Sequence, residues 1–267
     1  LTVLQRRLAS SPEAILRSLE RRQQRLDTKL RDMQRVTETA RLTGAAVQLP
    51  IDDAALPAFS IEDFEDFDEE TTDEERAQFE EQADQVVDLA TAAQTIPELR
   101  AEIAILEDLI KVARRVRLQD DDKKWVQLRT ILDEQLLTHD GSGDARKIII
   151  FTEHRDTLDY LQAKITAQFG RADSVITIHG GTRREDRKLA RERFTHNPDT
   201  VVLLATDAAG EGLNLQRAHL MVNYDLPWNP NRIEQREGRV DRFGQTAEQV
   251  KAYLLFGRDN PVDGLVL

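Results

Sequence analysis

The chain has no cysteine among its 267 residues, which excludes disulfide frameworks, thiolate zinc sites, iron–sulfur clusters and cysteine nucleophiles. Aromatic residues supply only 5%, a poor basis for an all-β sandwich. The 40% of apolar and 32% of charged residues fit a helix-rich globular protein and not a disordered tail. No apolar run approaches the roughly 18 residues that cross a bilayer, and the first residues carry no signal-peptide pattern. No membrane partner and no secretory route are expected, and the location expected is cytoplasmic. The five histidines, His139, His154, His179, His196 and His219, show no ligand spacing, so no protein-held metal is expected.

Glycine is almost missing from the first half. Eleven of the twelve glycines lie after residue 140, and Gly141-Ser142-Gly143 is the clearest linker signal. The sequence therefore divides into a domain over 1–143 and a second over 144–267. The net charge of −12 is also uneven: residues 51–84 hold fifteen acids against the single Arg76. An acidic insert at about 50–84 accounts for the charge, and the remainder is near neutral. Its run Phe59-Ser60-Ile61-Glu62-Asp63-Phe64-Glu65-Asp66-Phe67 reads first as a solvated loop. The sharper reading is an acidic mimic of nucleic acid with phenylalanines in place of stacked bases.

Before the boundary the apolar period is helical. Ile15, Leu19, Leu26, Leu30 and Met33 form one stripe, and Leu99, Ile103, Leu106, Ile110 and Ala113 another, which predicts two long antiparallel helices. Ser11-Pro12-Glu13 reads as a helix start with Ser11 as cap and Pro12 at the first helical position. After the boundary, short apolar runs at Lys147–Thr152, Val175–Ile178, Val201–Ala205, His219–Asn223 and Val250–Phe256 alternate with amphipathic stretches. That alternation predicts an α/β domain with a parallel sheet covered on both faces. Chemistry in such a sheet gathers at the carboxyl ends of the strands.

The segment Arg232-Ile233-Glu234-Gln235-Arg236-Glu237-Gly238-Arg239-Val240-Asp241-Arg242 is the strongest signal. On a helix, Gln235, Arg239 and Arg242 stand at i, i+4 and i+7, so an amide and two guanidinium groups face one way. Gly238 removes a side chain beside them and lets a backbone or phosphate approach. Two arginines on one face suit a polyphosphate, because each offers a planar fork of donors and a charge that does not titrate. The plain alternative is a surface helix whose arginines pair with Glu234, Glu237 and Asp241. A second element runs from the strand Leu203-Leu204-Ala205 into Thr206-Asp207-Ala208-Ala209-Gly210-Glu211-Gly212. There Asp207 can accept hydrogen bonds from a ribose or from the arginine helix, and Thr206 with the backbone at Gly210 and Gly212 can approach a phosphate. A third, Ile178-His179-Gly180-Gly181-Thr182, opens a helix bearing Arg183, Arg184 and Arg187 and forms a candidate phosphate contact. The fourth, Asp225-Leu226-Pro227-Trp228-Asn229-Pro230, is a stiff turn in which Trp228 reads as a wedge for the next helix.

Together these elements resemble the C-terminal RecA-like lobe of superfamily 2 helicases and translocases, within the Swi/Snf-like group and its bacterial RapA-type ATPases. Asp225-x-x-Trp228-Asn229-Pro230 followed by Gln235-x-x-x-Arg239-x-x-Arg242-x-Gly244-Gln245 resembles motif VI with its lead-in. Thr206-Asp207 resembles motif V, and Lys147–Thr152 with Glu153-His154 resembles motif IV. The resemblance implies a RecA-like parallel sheet preceded by an α-helical hairpin or bundle, the helical region that joins two lobes. It implies that Arg239 and Arg242 contact the γ-phosphate of ATP, with Asp207, Gln235, Gly210, Gly212 and Gly238 in support. It further implies that Thr152, His179, Gly180 and Thr206 line a nucleic-acid track, and that ATP and Mg²⁺ are bound mainly by an N-terminal RecA-like lobe of the same parent protein. Duplex DNA is the implied partner, with protein partners through the helical domain, and a bacterial cytoplasm or nucleoid is the implied setting.

No Gly-x-x-x-x-Gly-Lys-Ser/Thr loop occurs in the sequence, and Asp133-Glu134-Gln135-Leu136 lies in a helical stretch where it does not serve as a Mg²⁺ box. The sequence reads as half of a motor, inactive in ATP hydrolysis alone. The competing readings are an RNA helicase or RNA-polymerase recycling ATPase that shares this lobe, and a non-catalytic interaction module.

Overall fold

The computed structural model describes residues 2–43, 93, 95–118, 122–136, 146–207, 215, 217, 218, 220–227, 231–241, 245 and 249–257. The acidic insert at 50–84 and the Gly141-Ser142-Gly143 stretch lie outside the described residues. The described residues divide into two units, one drawn from 2–14 and 122–257 and the other from 15–43 and 93–118.

Helix α1 spans Thr2–Ser10 and α2 spans Pro12–Thr43. Ser11 separates them. Its N–H donates to the Arg7 carbonyl at 3.1 Å, and its hydroxyl accepts the Ala14 N–H at 3.1 Å. Ser11 is thus the cap and Pro12 the first helical residue, as the sequence indicates. Helix α3, Ile96–Leu118, opens with a reciprocal capping box. The Thr95 N–H donates to Glu98 Oε2 at 3.1 Å and the Glu98 N–H to Thr95 Oγ1 at 3.4 Å. Leu16, Leu19, Leu26 and Met33 of α2 pack against Leu99, Ile103, Leu106 and Ile110 of α3, with Ile15, Leu30 and Ala113 at the margin. Arg114 pairs with Glu20 at 2.8 Å and Arg22 with Glu102 at 2.7 Å, an opposite order along the two helices that marks them as antiparallel.

The other unit is built on five parallel strands in the order β2-β3-β1-β4-β5. They are β1 (Ile148–Thr152), β2 (Val175–Ile178), β3 (Val202–Thr206), β4 (Leu220–Asn223) and β5 (Lys251–Leu254). Every residue of β1, β3 and β4 is buried, as continuous apolar runs require when helices cover both faces. Between the strands lie α5 (Arg155–Phe169), α6 (Arg184–His196) and α7 (Asn231–Val240). Strand alternation splits the core in two. Ile148, Ile150, Val202, Leu204, Leu220 and Val222 meet Leu158, Leu161 and Ile165 of α5 on one face. Ile149, Phe151, Leu203, Ala205 and Met221 meet Phe194 of α6 and Val240 of α7 on the other. Helix α5 ends at Gly170, whose φ of +65° favours glycine and whose N–H closes on Thr166 O at 2.9 Å.

The domain boundary expected at 143/144 is corrected by this core. Helix α4, Lys123–Leu136, belongs to the α/β unit because Trp125, Leu128, Ile131 and Leu132 are buried against the same face of the sheet as α5. Its start is fixed by Asp122, whose carboxylate accepts the N–H groups of Lys124 and Trp125 at 3.0 and 3.3 Å. The same side chain accepts the phenolic hydroxyls of Tyr160 and Tyr224 at 3.0 and 3.2 Å. Helix α1 belongs to this unit as well. The Gly141-Ser142-Gly143 stretch thus falls between two elements of one unit.

Leu132→Ala, at a fully enclosed position, is expected to cost about 2–5 kcal/mol in chemical denaturation, while Val126→Ala on the exposed side of α4 changes stability by less than about 0.5 kcal/mol. Equal small effects would place α4 outside the core.

Candidate functional site

The parallel register brings the informative residues to one edge. Thr152 pairs with Thr206, and Phe151 lies between Ala205 and Asn223, so the carboxyl ends of β3, β1 and β4 stand side by side. The connection from β1 leads toward β2 on one side of the sheet, and that from β4 leads to β5 on the other. The opening between such strands is where α/β sheets place ligands.

At that point sits Asp225, just past β4 and 5% exposed. Its Oδ2 accepts the Ser10 hydroxyl at 2.9 Å, the Glu153 N–H at 3.1 Å and the Thr152 hydroxyl in a short hydrogen bond. Its Oδ1 accepts Lys124 Nζ at 3.1 Å. Lys124 also donates to the Ala9 carbonyl at 3.0 Å, and Thr157 meets the hydroxyls of both Ser10 and Ser11 at 2.6 and 2.8 Å. Burial pushes the Asp225 carboxyl up, but the Lys124 charge, His154 and the hydroxyl donors outweigh it and leave it below the ordinary carboxylate value. A single carboxylate therefore ties α1, α4, β1 and β4 together. Nearby, Arg6 makes a two-bond contact with the Glu153 carboxylate at 3.0 and 3.1 Å.

The second buried assembly holds α7. Arg236 is fully enclosed and forks onto Asp207, Nε to Oδ1 and Nη2 to Oδ2, both at 2.6 Å. Its Nη1 donates to Asn223 Oδ1 at 2.7 Å and to the Asp225 carbonyl at 3.2 Å, and its guanidinium lies 5.4 Å from the centre of the Phe151 ring. Burial opposes ionisation of Asp207. The charge and hydrogen bonds of Arg236, with Arg232 and Arg239, overcome it and hold the carboxyl low. Arg232 reaches Asp207 Oδ2 at 3.7 Å. The hydrogen bond foreseen between Asp207 and the arginine helix is present, but its donor is Arg236, a residue the sequence reading passed over in favour of the i, i+4, i+7 face. The signal lay one position along: Arg236 and Val240, at i and i+4, are the buried residues of α7.

The face read from sequence is the other one. Gln235 is exposed and Arg239 half-buried, and a Cβ at Gly238 would meet nothing within 4 Å. Gln235 and Gly238 thus lie on the outward side of α7. Arg242, Gly210, Gly212 and the Trp228-Asn229-Pro230 turn lie outside the described residues. Two of the expected track residues need correction. Thr152 is 0% and Thr206 3% exposed, and the Thr152 hydroxyl is used on Asp225, so neither is a surface contact in this arrangement. His179 and Gly180 remain partly exposed. Their loop is braced by Arg187, which donates to the Thr182 and Gly180 carbonyls at 2.9 and 3.0 Å, and by the Thr182 hydroxyl, which accepts the His179 N–H at 3.0 Å. Burial, with Arg155 and Arg187, pulls the His179 pKa down, which favours the neutral ring. Arg183 and Arg184 stay exposed at the start of α6.

Residues 127–244 match the family model of the helicase conserved C-terminal domain. Over that span, which is less than half of the chain, the α/β unit is similar to this domain family. A stretch of 99 residues, 37% of this chain, is 46% identical to 17% of the uncharacterized ATP-dependent helicase YqhH of Bacillus subtilis. A stretch of 132 residues, 49% of this chain, is 34% identical to 8% of the helicase SWR1 of Candida albicans. Among solved structures, the C-terminal part of the Fun30 ATPase domain superposes with a TM-score of 0.48 at 24% identity, over 55% of this chain and 46% of that one. The chain spans less than a fifth of the length of these two curated relatives. Among the described residues, no helix is long and apolar enough to cross a membrane.

Asp207→Asn leaves the buried Arg236 charge without its counter-ion and is expected to cost about 3–5 kcal/mol, read by chemical denaturation. Both Asp207 and Asp225 titrate below the ordinary carboxylate value in the folded state. Their contribution to stability is therefore complete above that value and is lost as pH falls through the lowered folded values. The difference in stability between wild type and Asp225→Asn should shrink across that acid range, and a constant difference would show that the Asp225 charge plays no part.

Proposed function

We propose that this chain is the second half of an ATP-dependent, Swi/Snf-like DNA translocase. On this reading Arg239 and Arg242 reach the γ-phosphate of ATP held mainly, with Mg²⁺, by an N-terminal RecA-like lobe of the same parent. The observation that carries it is the two-sided α7 helix. Arg236 anchors one side at the carboxyl edge of the sheet through four hydrogen bonds, and Gln235 and Gly238 stand exposed on the other side with Arg239 half-buried beside them. ATP, when bound, supplies the phosphoanhydride whose cleavage drives the motor. The contribution of this chain is to hold guanidinium groups where negative charge builds on the transferred phosphoryl group.

The proposal keeps His179 and Gly180 as contacts with a nucleic-acid strand, with Arg183 and Arg184 beside them, and omits Thr152 and Thr206. Duplex DNA is favoured over RNA by the Trp228-Asn229-Pro230 lead-in, which resembles the Swi/Snf form of the motif. Closure of two lobes around ATP would bring the α7 face onto the nucleotide, and reopening after hydrolysis would step the lobes along the strand. Because positioning supplies most of phosphoryl-transfer catalysis, and no phosphate-binding Gly-Lys loop occurs in these 267 residues, the chain alone should not turn over ATP.

Steady-state ATP hydrolysis tests this. The 267-residue chain is expected to give background rates with Mg²⁺, with or without duplex DNA or RNA. The parent protein is expected to be stimulated more by duplex DNA than by RNA, and to lose about 10³–10⁵ in turnover on Arg239→Ala or Arg242→Ala, with nucleotide affinity falling less. Intact turnover in those variants would make the lobe an interaction module, and stronger stimulation by RNA would make it an RNA helicase.

A further inference from the structure

Helix α3 buries Leu99, Ile103, Leu106 and Ile110 against α2, and it carries a second apolar row that, among the described residues, is left exposed. Ile105, Leu109, Val112 and Val116 are 62, 48, 54 and 44% exposed. Their spacing of four, three and four places them on one narrow stripe, roughly a quarter turn or more from the buried row. Single exposed apolar side chains are ordinary on a protein surface; four in register on one helix are a face.

The charges on α3 say what fits that face. Residues 96–108 carry Glu98, Glu102, Glu107 and Asp108 against Arg100, while residues 109–118 carry Lys111, Arg114, Arg115 and Arg117 and no acid. The helix is acidic toward its start and basic toward its end, with the apolar stripe straddling the change of sign. An antiparallel copy of the same helix complements it at both ends, whereas a parallel copy sets acid on acid and base on base. A polyanion such as nucleic acid would meet the four acids of the first half and gain nothing from the stripe.

We propose that α3 is a self-association face whose occupant is a second copy of this chain, paired antiparallel about a two-fold axis. The pairing places Leu109 against Val112 of the second copy and Ile105 against Val116, each contact occurring twice, as an isologous interface requires. In the same register Asp108 lies opposite Arg115 of the second copy. Both are exposed, and the ion pair that Asp108 makes within its own helix, to Lys111 at 2.9 Å, is a surface pair with both side chains more than two-thirds exposed. Such a pair gives way readily to a better-desolvated partner. The interface is rim-charged and apolar at its centre, the pattern of specific protein contacts. It lies on the helical unit and is independent of the ATP reading above.

Sedimentation velocity of the 267-residue chain across the micromolar range is expected to show a reversible monomer–dimer equilibrium. Val112→Asp, which puts two carboxylates into the centre of the interface, should weaken it by about tenfold or more. Arg115→Glu sets like charges opposite each other and should also weaken it, while Asp108→Arg combined with Arg115→Glu re-pairs them and should restore association. Unchanged far-ultraviolet circular dichroism and Tm would show that each variant is folded, as expected for exposed positions. A chain that stays monomeric throughout the range overturns the proposal, including the case in which another part of the same chain covers the stripe. So does a dimer that is indifferent to Val112→Asp, or a charge-exchanged double variant no tighter than Arg115→Glu alone.

Discussion

The α/β unit depends on keeping one ionised carboxylate out of water. Asp225 is buried at the point where the strand connections diverge, and an isolated charge there would be prohibitive. It is tolerated because donors arrive from four places in the chain: Ser10 at the end of α1, Lys124 at the start of α4, and Thr152 and Glu153 at the end of β1. Each donor fixes one element. Satisfying the carboxylate and assembling the edge of the sheet are the same event, so an element that fails to dock leaves a charge exposed to the apolar interior. This is the cooperative side of buried polar networks, in which a full set of partners rigidifies and a partial set is worse than none.

Arg236 applies the same logic one layer over. Its fork on Asp207 is enclosed, and its remaining donor groups reach Asn223 and the Asp225 carbonyl. The two buried assemblies therefore share residue 225, one through its carboxylate and the other through its backbone. The position of α7 is transmitted from β3 and β4 through hydrogen bonds whose geometry a guanidinium fork restricts more tightly than apolar packing would. That restriction matters for the outward side of the helix. A phosphate-directed arginine acts only if its Cα is held to within a fraction of an ångström, and on a ten-residue helix the hold has to come from an inward residue close by.

Much of this was legible in the sequence, for reasons that can be traced to particular residues. The strands could be read because Ile148–Thr152 and Val202–Thr206 are uninterrupted β-rich runs, and the α2 start because a serine before a proline has one natural reading. The two antiparallel helices of the other unit followed from apolar spacing alone, with Leu16 enclosed in addition and Ile15 and Leu30 at the margin of the row. The domain edge was misplaced because a Gly-Ser-Gly stretch has the same composition whether it joins domains or joins a helix to a strand within one. The signals that α4 belongs to the sheet are Asp122 as its cap and the row Trp125, Leu128 and Leu132, and both are short-range patterns without an address.

Arg236 shows the limit most clearly. From sequence, every arginine on α7 is equivalent in chemistry, and the face with the best spacing, Gln235, Arg239 and Arg242, attracts the functional reading. What separates the arginines is the sheet: Arg236, one step from that face, bonds both Asp207 and Asn223, which are distant in sequence and are brought together by the β1–β3 and β1–β4 registers, whereas Arg232 reaches Asp207 at 3.7 Å. Two arginines three residues apart on one helix thus differ, one enclosed and held by four hydrogen bonds within the fold, the other half-buried at its edge. The difference follows from burial, because Arg236 spends four of its five N–H donors on Asp207, Asn223 and the Asp225 carbonyl and its enclosure keeps a ligand away. The interior claims Arg236, and the phosphate contact proposed above rests instead with Arg239, beside the exposed Gly238.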